Sequence, residues 1–181
     1  MRFRRRGRNA PGPQFWPQRR RGPWFALRPF LLAGVLGLAW AGADPMLVDP
    51  PSLLSTDPER VLESFTRCGR GRGHACVVDG DTFKLGQRRI RIIGIDAPET
   101  HPARCAEEAR LGEQATATLQ QLLNQGPFEM VAPIYGRTDK YGRDLRSINR
   151  RLPDGSTQSI ADAMRASGLA HRYSGFKSSW C

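Results

Sequence analysis

The sequence predicts a mainly β fold with helices (α+β): five short strands curled into a barrel, with one long helix between the third and fourth. Three observations carry this. Short apolar runs separated by Gly and Asp turn signals occupy residues 75–95, an apolar-striped segment of helical period follows, and two more short apolar runs come after it.

The elements follow in order. Asp57-Pro58 reads as a cap and first helical residue for a short helix reaching about Arg67, with Val61, Leu62 and Phe65 on one face. Strands are expected at 75–78, 82–85 and 88–95. The long helix is expected over 106–124, where Leu111, Ala115, Leu119, Leu122 and Leu123 form one stripe that ends before Gly126-Pro127. Strands at 128–132 and 145–151 come next, then a second helix over 159–167 that opens on a serine cap and stops at Gly168. Five strands with a helix between the third and fourth is the order of an OB-fold barrel.

Domain organisation is read from composition. Residues 30–43 are apolar and end in Ala41-Gly42-Ala43, a small-x-small pattern suited to signal-peptidase cleavage, so residues 1–43 read as a signal peptide or signal-anchor. The run is short of the ~20 residues a membrane span needs, and Arg28-Pro29 blocks its extension. Export to the periplasm or outside the cell is expected, with membrane attachment if the segment stays uncleaved. Residues 44–58 are proline-rich and read as a linker, which leaves 59–181 as one domain. No protein partner is expected.

The net charge of +11 looks like the footprint of a nucleic-acid binder, but it is concentrated at one end. Nine of the 28 basic residues precede residue 44, where no acid occurs; the 19 that follow face 17 acids, a net of +2. Affinity for a polyanion must come from local clusters such as Arg88, Arg89 and Arg91, with Lys140 and Arg143. The four cysteines, Cys68, Cys76, Cys105 and Cys181, suggest two disulfides in an exported domain, and three pairings are possible. The Gly-Arg-rich loop between Cys68 and Cys76 can close locally, which favours Cys68–Cys76 and leaves Cys105–Cys181. The spacings lack a Cys-x2-Cys pair and do not suit zinc.

The chemistry is concentrated in VVDGDTFKLGQRRIRIIGIDAPET, residues 77–100, and in RTDKYGRDL, residues 137–145. Asp81 and Asp96 are candidate ligands for a hard divalent cation. Glu99, beyond the rigid Ala97-Pro98 step, can order or deprotonate a water, while Arg91 and Arg143 can clamp a phosphate. Each residue alone is as well explained by turn chemistry or a solvated surface. One conflict arises: Arg91 and Asp96, five apart on one strand, point to opposite faces unless a bend at Gly94 restores them to one side.

Together DGDT, RIIGIDAPET and TDKYGR, in this order and with a helix between the second and third, resemble the thermonuclease (staphylococcal nuclease-like) family over roughly residues 76–170. The resemblance implies the same OB-fold. It implies calcium held by Asp81, Asp96 and the backbone carbonyl of Ala97, where the family commonly has threonine, and catalysis by Arg91, Glu99 and Arg143. It implies hydrolysis of DNA or RNA leaving a 3'-phosphate. Lys140 and Tyr141, in the KYGR motif, are expected to contact substrate, and Tyr173 lies near where the family places nucleotide-contacting tyrosines. Family members of the staphylococcal type continue into a third long helix, which the residues after Ala170 are too few to form; Phe176 and Trp180 are expected to pack there instead. The competing reading is an OB-fold module that binds nucleic acid or another partner in the cell envelope without cutting.

Overall fold

The computed structural model describes residues 55–69, 73–173 and 175–181, all within the compact unit Leu38–Cys181. The leader expected over 1–43 and residues 44–54 of the linker expected over 44–58 lie outside the described residues. Membrane attachment is corrected: no helix among the described residues is long and apolar enough to cross a membrane.

The chain forms β1 (Glu59–Val61), β2 (Thr66–Arg67), β3 (Ala75–Asp79), β4 (Thr82–Leu85), β5 (Arg88–Ile92), β6 (Ile95–Asp96) and α1 (Ala106–Asn124). There follow β7 (Phe128–Val131), β8 (Asp144–Arg151), β9 (Thr157–Ser159), α2 (Ile160–Ala166) and β10 (His171–Arg172). The main sheet runs β1-β7-β8-β5-β4-β3-β2 with β9 added on β8, and β10 pairs separately with β6. β5 and β8 are parallel, so the two motif-bearing sequence blocks meet side by side in the middle of the sheet.

The expected closed barrel of five strands is therefore corrected to an open, curled sheet of eight, OB-like in its inserted helix. The reason lies at its edges. Residues expected as the first helix are strands: Glu59, Arg60 and Val61 pair antiparallel with Met130, Glu129 and Phe128, and Thr66–Arg67 runs parallel to Cys76–Val77. Val61 and Phe65 are buried as their apolar character demands, but Leu62, assigned to the same helix face, is 72% exposed. Phe65, Phe83 and Phe128 make edge-on and tilted ring contacts at 5.3–6.2 Å between centroids, a geometry aromatic rings favour. That cluster holds the first strands to the sheet more strongly than a two-turn helix could hold itself.

Helix α1 matches its expected bounds and buries Ala115, Leu119, Leu122 and Leu123 on the sheet. Arg150 of β8, 5% exposed, donates to the carbonyls of Leu122 (2.6 Å) and Gly126 (3.2 Å), placing a cation at the negative end of the helix. At the other end, Gly112 faces the loop carrying Glu99: a Cβ there would come within 2.7 Å of the Glu99 carbonyl oxygen. Only glycine lets the helix and that loop approach so closely.

Candidate active site

Asp81 sits in the β3–β4 turn, Arg91 on β5, and Asp96 at the end of β6. Between β5 and β6 the chain turns through Gly94 with φ of 80°, a left-handed conformation that favours glycine. The strand expected to run unbroken from 88 to 95 is thus interrupted. The turn also removes the face conflict: the Arg91 guanidinium is ion-paired with Asp81 and lies 3.9 Å from Asp96. All three are nearly inaccessible, Arg91 at 4% and Asp96 at 2% exposure.

This buried group is not electrically balanced. Burial pushes the Asp79 carboxyl well above the ordinary carboxylate range, reinforced by repulsion from Asp81 and Glu99 and by a hydrogen bond shared with Asp81. Burial would raise Asp81 as well, but the charge of Arg91 and hydrogen bonds from Asp79, Thr82 and Arg91 hold it below its usual value. Asp96 is raised, chiefly by burial, although its Oδ2 accepts the Ser178 N–H at 2.8 Å. Asp81 and Asp96 thus share one guanidinium, with Asp79 beside Asp81 and pushed towards its neutral form.

The burial of Asp79 has a testable cost to the fold. Because its folded pKa is raised, its stabilising contribution is complete below the unfolded value near 4 and is lost as pH rises through the folded one. Asp79→Asn, whose amide can still donate to Asp81, is expected to stabilise the protein at pH 7 by on the order of 1 kcal/mol. The gain should vanish below about pH 4 in urea titrations. Equal gains at both pH values would refute the crowding.

Arg91, Glu99, Lys140, Tyr141, Arg143 and Tyr173 line one cleft of about 850 Å³. The expected phosphate clamp, general base and substrate contacts are thus brought together, while Asp81 and Asp96 lie behind Arg91. Ala97 is buried and donates its N–H to Asp81 Oδ2 at 3.3 Å. Arg143 is aimed by Asp139, which accepts from its Nε at 2.7 Å and its backbone N–H at 2.9 Å. Burial would raise Asp139, yet these bonds hold its carboxyl low. Tyr141 is 68% exposed, with Lys140 and Arg143 at 5.1 and 5.4 Å from its ring centre. Tyr173 is fixed by its N–H to the Gly94 carbonyl at 3.1 Å.

The C-terminal segment completes the site in a way the sequence reading missed. Lys177 forms an ion pair with Glu99, and Arg104 donates to the Ser178 carbonyl at 2.7 Å while its guanidinium holds Glu108. Glu108 is buried under the Glu99 loop, and hydrogen bonds from Arg104 bring its carboxyl down to about 2. The disulfides are Cys68–Cys76 and Cys105–Cys181, so the segment is covalently closed onto the N-cap of α1. Trp180 is buried and stacks on His171 at 4.0 Å, as apolar packing would have it. Phe176 is the correction: it stands 81% exposed at the cleft.

Among the described residues no group of three or more His, Cys, Asp or Glu side chains is placed to hold a metal ion. The donors expected for calcium nonetheless suit a hard cation in kind. They are oxygen atoms, and Asp81 and Asp96 converge on the same Arg91 guanidinium, Asp81 by an ion pair and Asp96 at 3.9 Å.

Residues 89–179, half of the chain, match the family described as Staphylococcal nuclease homologue. The chain belongs to that family. Among curated proteins, this staphylococcal nuclease homologue is 34% identical over 98 residues to the SPbeta prophage-derived endonuclease YokF of Bacillus subtilis (strain 168), covering 51% of this chain and 31% of the relative. It is 33% identical over 98 residues to endonuclease YncB of the same organism (51% and 43%), and 37% identical over 81 residues to endonuclease YhcR (40% and 7%). The chain thus spans less than half the length of each of these relatives.

Proposed function

We propose that this protein is a calcium-dependent nuclease that hydrolyses DNA or RNA phosphodiester bonds with little sequence specificity. The observation that carries the reading is the orientation of Arg91. Its Nη1 and Nη2 groups are turned to Asp81 and the Ile95 carbonyl, and its buried Nε has no partner among the described residues. Arg91 therefore lines the cleft with its guanidinium fixed in advance, as does Arg143, fixed by Asp139, so two cations are preorganised for one phosphate.

Arg91 and Arg143 bind the phosphate and stabilise its oxygens as charge builds, each held in place beforehand by an aspartate. Glu99 orients or deprotonates the attacking water once substrate enters, Lys177 being its partner until then. Asp81, Asp96 and the Ala97 carbonyl would hold the calcium ion, which when bound supplies Lewis-acid stabilisation of the phosphate. Lys140 and Tyr141 contact the flanking nucleotide by charge and ring face, and Tyr173 lines the same cleft. Contacts of these kinds read backbone and stacking rather than sequence.

The test is incubation of the full-length protein with single- and double-stranded DNA and RNA, in calcium and in chelator. Calcium-dependent shortening of the strands is expected. A folded protein that binds these nucleic acids and leaves them intact under all conditions would favour the non-catalytic binding module.

A further inference from the structure

We propose that Arg143, Arg89 and Lys84 form a phosphate track that carries a single polynucleotide strand out of the cleft and across the sheet. It rests on the nuclease reading and names where the rest of that substrate lies.

The track follows from strand register. Lys84 of β4 is directly opposite Arg89 of β5, and two residues on Thr82 is opposite Arg91. Side chains alternate across a sheet, so the Lys84–Arg89 pair shares the face on which Arg91 meets Asp81. The intervening pair, Phe83 and Ile90, points the other way and is fully buried. On the other side of β5, Ile90 is in register with Asp144, which places Arg143 next to Arg89, and both line the cleft. Three cations thus occupy one row on neighbouring strands, at steps of about 4.8 Å.

The cations of this region differ in their partners. Arg143 is held by Asp139, and Arg88, on the opposite face, is held by Glu59 and Asp144. Arg89 and Lys84 are exposed, and neither has an ion-pair or hydrogen-bond partner among the described residues. Like charges directly opposite each other on a sheet are unfavourable. The sheet carries this repulsion where the row leaves the cleft. A polyanion laid along the row reverses its sign, and the region after residue 44 has too little net charge to attract one without such clusters.

A single strand suits the row better than a duplex. Tyr141 and Phe176, 68% and 81% exposed, stand at the cleft as ring faces for unpaired bases.

The experiment measures binding of a fluorescent single-stranded DNA 12-mer to the full-length protein in EDTA, over a range of salt concentrations. Lys84→Gln and Arg89→Gln are each expected to weaken binding about three- to tenfold at low salt. Each should lower the slope of log K against log salt by about 0.7, and the double variant by about 1.4. Arg151→Gln, the same charge change at the far end of β8, should alter affinity less than about twofold. A double variant that keeps the parent slope, or an Arg151→Gln loss as large as that of Lys84→Gln, overturns the track. A parent protein that neither binds the 12-mer nor cuts nucleic acid in calcium refutes the nuclease reading itself. One that binds and cuts while the double variant keeps the parent slope refutes the track alone.

Discussion

Replacing Arg91 with alanine is expected to lower phosphodiester cleavage by at least 10²- to 10³-fold, the loss typical of removing one preorganised donor to a developing charge. It should also lower stability. The guanidinium is the cation in contact with Asp81, in a site where Asp79 is already pushed towards its protonated form. Removing one member of a buried pair leaves the other charge uncompensated, at about 3–5 kcal/mol. Arg91→Lys separates the two effects: it retains the charge, so most of the stability should return, but an ammonium cannot present the planar fork that engages Asp81, Ile95 and a phosphate together. Cleavage kinetics and urea titrations of the two variants check this. An Arg91→Ala protein that is folded and cuts at near the parent rate would remove Arg91 from the mechanism. An Arg91→Lys protein with full activity would show that charge alone suffices.

The core of this site was legible in the sequence because its parts are local. DGDT and IDAPE are turn-bearing segments whose short-range chemistry limits where their carboxylates can go. Helix α1 was legible for the same reason, a stripe of apolar residues ending at a Gly-Pro stop. The bend at Gly94 was inferable from a contradiction, since Arg91 and Asp96 cannot share a face on an unbroken strand.

What was not legible depends on partners distant in the chain. Val61 and Phe65 carry an apolar spacing that fits a helix turn, and only Phe128 and Phe83, brought in from other strands, decide for β structure. Lys177 and Ser178 look like an undirected tail until Cys181 is joined to Cys105, after which they fall on Glu99 and Asp96. Asp139 did leave a local signal. An aspartate four residues before Arg143, ahead of a Gly turn, is suited to accept the backbone N–H groups of Tyr141 and Arg143, as it does here at 2.9 Å.

That dependence on Cys105–Cys181 yields the second large effect. The bridge joins residues 76 apart, whereas Cys68–Cys76 joins residues 8 apart. Chain-entropy arguments give about 4.5 kcal/mol for the long loop and about 2.5 kcal/mol for the short one. The Cys105→Ser/Cys181→Ser protein should therefore be less stable than Cys68→Ser/Cys76→Ser in denaturant titrations. The long bridge should also matter for function, because Tyr173, Phe176 and Lys177 line the cleft from the segment it closes, and Ser178 and Arg104 tie that segment to Asp96 and Glu108. Freed at its end, the segment loses its fixed position beside Glu99 while Arg91 and Arg143 keep theirs. A rise in KM larger than the fall in kcat is expected, measured on short single-stranded oligonucleotides at a temperature where the variant is fully folded. A variant with parent KM would make the bridge a purely structural staple, and a stability order opposite to the one given would show that local packing outweighs loop length.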